Sequence, residues 1–235
     1  MTSRSVQEFF EGVKSSAPVV IASAPFGILF GVVAVQNGLS IGEAALMSAT
    51  VFAGASQLVG LELFGQSIPA WIVVLSIFAV NFRHVLYSAA LSRHVMHWTP
   101  VKRAMGFFFL TDPQFGEAER RSNGEGKGLT FSWYLGMALP IYVFWTAEGA
   151  VGAAFGNLIP DPHKIGLDFL LPIYFLGLVM DFRDRPLWLP IVAMSSVASV
   201  IAYNTVGSPW HVSIGAIAGV LLAAAIVPVR KGVSQ

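Results

Sequence analysis

Apolar residues along this chain gather into runs separated by short polar intervals, at 17–35, 43–63, 69–91, 104–112, 131–155, 167–180, 187–205 and 212–228. A helix of about twenty predominantly apolar residues crosses the hydrocarbon of a bilayer. Six of the runs predict such spans. Two differ. The run 43–63 (EAALMSATVFAGASQLVGLEL) is rich in small and polar residues and carries two glutamates. The run 104–112 (AMGFFFLTD) is too short to cross and stops at Asp112-Pro113, because a proline pushes the residue before it out of the helical region. The pattern predicts an all-α polytopic membrane protein with six full spans plus two re-entrant or broken segments, with seven or eight spans as alternatives.

Ahead of the first run, Val6, Phe9, Phe10 and Val13 recur at helical spacing, with Arg4, Glu8, Glu11 and Lys14 opposite. This predicts a short cytoplasmic amphipathic helix over 1–16, lying in the membrane interface before a single transmembrane transport domain over 17–229. Ala22-Ser23-Ala24 has the form of a signal-peptide cleavage site. The acids Glu8 and Glu11 before it and Pro25 after it argue against one.

Charge then tests the topology. Lys and Arg cluster at Arg4 and Lys14, at Arg93, Lys102 and Arg103, at Arg120, Arg121 and Lys127, at Arg183 and Arg185, and at Arg230 and Lys231. The intervals 36–42, 64–68 and 204–211 have none, and 156–166 has only Lys164. If 43–63 and 104–112 both dip in and return, every cluster lands in the cytoplasm, as the positive-inside rule requires. If both cross, 91–103 becomes an external basic loop; if only 43–63 crosses, Arg230 and Lys231 lie outside. Pro25, Pro140, Pro172 and Pro190 fall within apolar runs, where neighbours or water must satisfy the freed carbonyls. Gly27-xxx-Gly31 and Gly215-xxx-Gly219 offer close-packing faces, most simply used inside one fold.

Composition agrees with the pattern. Of 235 residues, 55% are hydrophobic and 11% charged. Soluble domains carry roughly 25% charged residues. The net charge of +1 gives no field pointing to nucleic acid, and the lack of cysteine excludes disulfides, thiolate metal sites and cysteine nucleophiles. There is no G-x-S-x-G, P-loop or H-E-x-x-H, so the chain is not expected to be an enzyme. The pair His94 and His97 has no acidic company to suggest a metal site, and no cofactor is implied.

Four constellations carry candidate chemistry. In Phe52-Ala53-Gly54-Ala55-Ser56-Gln57, small residues let backbones approach and Gly54 permits a helix break, whose free N–H groups suit a substrate carboxylate. The alternative is a tight helix crossing with Ser56 and Gln57 bonded to neighbours. In Asn81-Phe82-Arg83-His84-Val85-Leu86-Tyr87, an arginine sits within an apolar run at a cost of at least ~2.5 kcal/mol. Asn81 and His84 share one helical face, and Arg83 and Tyr87 an adjacent one. Arg83 either binds a carboxylate or snorkels to the surface. His84 either carries a proton or is a neutral hydrogen-bonded residue. In Thr111-Asp112-Pro113, a carboxylate at the tip of a short segment can pair with Arg83 or be solvated. Glu148, the lone acid of 131–155, can meet a substrate ammonium or a proton, or reach surface water.

At these residues the chain resembles the AzlC family, the large subunits of branched-chain amino acid exporters. The resemblance rests on PFGILFG at 25–31, GLSIGEAALMS at 38–48, FAGASQ at 52–57, NFRHVLY at 81–87 and Thr111-Asp112. It implies export of leucine, isoleucine, valine and methionine across a bacterial inner membrane, with a small AzlD-type membrane subunit of roughly four spans as partner. No residue-level mechanism comes with it. The site expected from the residues is Phe52, Gly54, Ser56, Gln57, Asn81, Arg83, Tyr142 and Glu148 around the substrate, with His84 and Asp112 coupling to protons. With no ATPase motif, the proton gradient is the expected driving force. A passive channel or facilitator for small amphipathic solutes is the alternative; it needs a continuous polar lining, and polar residues here are few and clustered.

Overall fold

The computed structural model describes residues 3–64, 69–124, 128–156, 182–207 and 210–226, with positions 169, 173, 176–177 and 179–180. The expected span 167–180 with Pro172, the residues Lys127, His163 and Lys164, and the pair Arg230 and Lys231 fall wholly or mainly outside these residues. Every described element is helical: α1 (Ser3–Gln36), α2 (Ile41–Val51), α3 (Gly54–Phe64), α4 (Ala70–Val95), α5 (Pro100–Phe108), α6 (Asp112–Glu119), α7 (Phe131–Phe155), α8 (Trp188–Thr205) and α9 (Trp210–Ile226), with a π-helical turn at Arg120–Gly124. Among them α1, α4, α7 and α8 are long and apolar enough to cross a membrane.

The amphipathic start and the first apolar run form one helix of 34 residues, where the sequence suggested two elements. The reason lies in packing. Gly12 and Ser16 are buried, and a side chain added at Gly12 would collide with the Trp133 carbonyl of α7. Further along, Gly31 sits against the backbone of Gly149 and Ala153. The order of these contacts shows that α1 and α7 run in parallel. Missing side chains let the two backbones touch, which is how helices gain packing where no water drives them together. The interval from Gly215 to Gly219 uses the same device against Ser195 of α8, within one helical pair.

At the start of α7 a charge cluster around the buried Arg121 joins distant parts of the chain. The Arg121 guanidinium lies over the Trp133 ring at 4.6 Å. It donates to Glu8 Oε2 at 2.5 Å and to Glu11 Oε2 at 3.4 Å.

Segment 41–64 reverses direction at Phe52, which takes a left-handed conformation (φ 43°, ψ 44°). Gln57 on α3 donates to Ser48 on α2 at 3.1 Å, and Gly60 faces the Met47 methyl. Residues nine and thirteen apart would be roughly 14 and 20 Å apart along a straight helix. The segment is therefore a helical hairpin with Phe52 at its tip. Its open end packs at the end of α7, where Ala44 and Leu61 share a buried cluster with Phe30, Ala34 and Ala153. Ser40 and Glu43 cap α2 there reciprocally, as the spacing S-x-x-E dictates.

Segment 98–124 makes a second hairpin from the opposite end. Trp98 donates its indole N–H to the Leu129 carbonyl at 3.1 Å, fixing the entry of α5 at the start of α7. Tyr134 then bonds the Gly106 carbonyl at 2.9 Å, and the Phe109 ring reaches Tyr142. The chain turns at Phe109–Thr111 and α6 leads back to Arg121, again at the start of α7. Between the hairpins α4 runs antiparallel to α3: Ser56 meets Asn81, Gly60 meets Ile77, and Leu91 and Val95 join Trp133 at the near end. A helix followed by a hairpin thus occurs twice, α1 with α2–α3 and α4 with α5–α6, in opposite directions. The two tips touch, Phe52 against Phe109 at 6.4 Å between ring centres.

Candidate functional site

A cavity of about 70 Å³ lies where the hairpin tips meet, lined by the first tip (Phe52–Ala55), the second tip (Thr111–Pro113), Arg83 and His84 of α4, Ser23 and Phe26 of α1, and Ile141 and Trp145 of α7. A cavity needs roughly 10–15 Å³ to admit one water. This one takes a handful of water-sized groups, the size of a small amino acid. It shares Ser23, Asp112 and Pro113 with a vestibule of about 960 Å³ that runs between α1, α4 and α6 to Arg93, Glu119 and Arg185.

The second tip supplies charge. Arg83 Nη1 lies 3.2 Å from Asp112 Oδ2, and the Tyr87 hydroxyl donates to Asp112 Oδ1 at 2.8 Å. Arg83 and Tyr87 are one turn apart on α4, so one helical face delivers both groups to one carboxylate. Tyr87 is held by stacking on Phe115 at 4.4 Å. Asp112 opens α6, where the helix dipole favours an anion. Thr111 and Gln114 bond each other across that first turn.

The first tip supplies backbone and apolar surface. A left-handed conformation is costly for phenylalanine. The Phe52 ring is braced by Tyr142 at 5.0 Å and by Phe109, and Tyr142 donates to the Ala49 carbonyl at 2.8 Å. Beyond the tip α3 starts afresh at Gly54, and the first N–H groups of any helix lack intrahelical partners. Gly54 and Ala55 both line the cavity.

The expected site residues separate into two groups. Phe52, Gly54, Arg83, His84 and Asp112 line the cavity. The others stand behind it. Ser56 donates to Asn81 Oδ1 at 2.6 Å, tying α3 to α4. Gln57 is fully buried between Ser48 and Trp145. Tyr142 braces both tips. Glu148 lies against the Gly27 backbone of α1, one turn beyond Trp145, and is not part of the cavity wall. His84 Nδ1 is 3.3 Å from the Asn81 carbonyl oxygen. The sequence reading missed Trp145, Phe26, Ile141 and Ser23. Trp145 stands one helical turn from both Tyr142 and Glu148, which was the available signal. Among the described residues no cluster of His, Asp and Glu could hold a metal.

A family model described as AzlC protein matches residues 18–159, which includes every residue of the cavity. The chain is 29% identical to the inner membrane protein YgaZ of Escherichia coli strain K12 over 219 residues, covering 92% of this chain and 89% of that protein. It is 29% identical to an uncharacterized membrane protein of Archaeoglobus fulgidus over 95% of this chain and 94% of that one. A Helicobacter pylori membrane protein, also uncharacterized, is 24% identical over 96% and 98%. No solved structure matches.

Proposed function

This chain belongs to the AzlC family, and from that premise we propose that it is the large subunit of a secondary transporter exporting small apolar amino acids. The observation that carries the reading is the Arg83–Asp112 pair beside an apolar cavity at the contact of two broken helices. A free amino acid presents a carboxylate, an ammonium and a side chain. The guanidinium and the open N–H groups of α3 suit the first, Asp112 the second, and Phe52, Ile141 and Trp145 the third. On entry the substrate carboxylate displaces Asp112 from Arg83, and the released acid turns to the ammonium. Each buried charge thus has a partner in both states, which keeps the cost of burial from rising during the exchange. Transport, not catalysis, is the activity this chemistry supports.

Membrane orientation follows from the basic residues. Arg4, Lys14, Arg93, Lys102, Arg103, Arg120 and Arg185 gather at the end where α1 and α7 start. By the positive-inside rule that end is cytoplasmic, in a bacterial inner membrane. The first hairpin then re-enters from outside, the second from inside, and six full spans complete the chain. The vestibule opens to the cytoplasm, where an exporter loads, while towards the end of α7 the buried cluster of Phe30, Ala34, Ala44, Leu61 and Ala153 fills the outer side. A passive channel would need a polar path through that cluster. The proton gradient is the proposed driving force, with His84 and Asp112 at the pocket as carriers, and an AzlD-type subunit of roughly four spans is the proposed partner.

The test is efflux and uptake of labelled leucine in proteoliposomes containing the chain, with and without the AzlD-type subunit and a pH gradient. Gradient-dependent leucine movement requiring both chains is expected. Leucine movement indifferent to the gradient would overturn the coupling, and full movement by this chain alone would overturn the partner. No movement of any amino acid under any condition would sink the whole reading. Labelling from outside at His97→Cys would overturn the orientation.

A further inference from the structure

The Trp145 indole is fastened in place by a polar relay that a merely apolar wall would not need. Its Nε1 donates to Gln57 Oε1 at 3.1 Å, and Gln57 Nε2 donates to Ser48 Oγ at 3.1 Å. Gln57 and Ser48 are both fully buried. Polar groups in such a place cost several kcal/mol unless every hydrogen bond is made. The relay spans three elements, with Ser48 on α2, Gln57 on α3 and Trp145 on α7. It fixes the ring's plane relative to both arms of the first hairpin.

The ring edge lies where Gly54 has no side chain. A Cβ at Gly54 would come within 2.7 Å of the indole Cη2 and 2.9 Å of Cζ2. The glycine and the indole fit as socket and plug, and both line the cavity. A group added at Gly54 displaces the ring edge or the tip backbone, both of which border the cavity, and a smaller ring at Trp145 leaves that wall further back.

We propose that Trp145, seated on Gly54 and held by Gln57, sets the upper size of the ligand side chain in this cavity. Trp145 is then a specificity-determining residue and Gln57 a positioning residue that acts through it. The ligand class is a zwitterion with a small aliphatic side chain, since the cavity joins Arg83 and Asp112 to the apolar walls of Phe26, Phe52, Leu58, Ile141 and Trp145. The inference rests on the transport reading above and is tested separately from it.

The experiment is competition against labelled leucine in membrane vesicles from cells producing the full chain together with the AzlD-type subunit, using unlabelled alanine, valine, leucine, methionine and phenylalanine. One methylene in an apolar pocket changes discrimination by about 10-fold or more. Gly54→Ala is expected to shift the leucine-to-alanine ratio by about that factor towards alanine. Trp145→Phe is expected to shift the phenylalanine-to-leucine ratio by a similar factor the other way. Gln57→Met keeps the volume and removes the bond to the indole; it should broaden the competitor range in the same direction as Trp145→Phe, an effect that loss of stability alone does not produce. If the wild-type chain moves leucine and the competitor order is unchanged in Trp145→Phe and Gln57→Met, the size limit lies elsewhere and the proposal fails. Should Gly54→Ala not accumulate, those two variants decide alone. A wild-type chain that moves no amino acid even with that subunit present removes the transport reading and this inference with it.

Discussion

The two hairpin tips occupy equivalent places in oppositely directed units, yet their chemistry is divided. The first, Phe52–Ala55, carries no ionisable group and offers the start of a helix, a phenyl ring and a bare glycine. The second, Thr111–Pro113, offers a carboxylate already engaged by Arg83 and Tyr87. A pocket built from two like tips would either lack charge or hold too much of it. Dividing the labour lets one small cavity present charge on one side and apolar surface on the other. It also divides the cost: the first tip bears backbone strain at Phe52, the second bears ion burial.

That contrast breaks most completely at the ion pair. Asp112 is 9% exposed and Arg83 22%, so removing one partner leaves a charge only partly rescued by solvent. Asp112→Leu is expected to destabilise by about 3 kcal/mol, the lower end for a buried pair given the exposure of Arg83. The double variant with Arg83→Met should recover much of this in a thermal-shift cycle, and additive losses would show that the pair does not couple. Arg83→Lys keeps the charge and loses the planar fork, so leucine movement should fall at least 10-fold with little loss of stability.

Smaller effects sharpen the same comparison at single hydrogen bonds. Tyr87→Phe removes a bond to a charged acceptor at the second tip and should cost about 2 kcal/mol. Ser56→Ala removes a neutral bond to Asn81 behind the first tip and should cost about 1 kcal/mol. The reverse order in chemical denaturation would mean that charge is not concentrated at the second tip.

Smallest is the far-end cap. Ser40 donates its backbone N–H and its hydroxyl to Glu43 Oε2, each at 2.7 Å, and these bonds hold the Glu43 carboxyl below its usual range. The folded-state value is depressed, so the contribution is present above the usual glutamate value and fades as pH falls through the lowered one. Glu43→Gln should flatten the acid limb of the stability profile slightly; an unchanged acid limb would deny the cap any role.

Much of this arrangement was legible in the sequence where residue type alone forces an outcome. An arginine inside an apolar run demands a partner, which narrowed the search to few acids, whereas the stop expected at Asp112-Pro113 falls earlier: α5 ends at Phe108 and the proline serves in the first turn of α6. The small residues around Gly54 announced a break. They did not announce where it turns: Phe52, a residue ill suited to a left-handed conformation, takes the corner because Tyr142 and Phe109 hold its ring. The continuity of α1 was hidden for a similar reason. Its amphipathic start has the composition of an interfacial helix, and only the glycines of α7 reveal a protein surface waiting for it. Trp145 was missed because nothing next to it in the chain marks it, and its partner Gln57 lies 88 positions away. Arg121 read as a loop charge, whereas its side chain is 5% exposed and folded onto Trp133.

The parallel contact of α1 with α7 bears on how such a chain is made. Glu8 and Arg121 are separated by 113 residues, and the glycine face of α1 finds its match only when α7 emerges from the ribosome. Until then that face of α1 is uncovered, and Glu8 and Glu11 lack the guanidinium they meet in the fold until Arg121 is made. Synthesis at roughly 5–20 residues per second makes that wait several seconds or more. A nascent chain interrupted before Trp133 has no means of closing its first helix. Burial of the glycine face of α1 therefore waits on α7, the element that supplies its partner backbone.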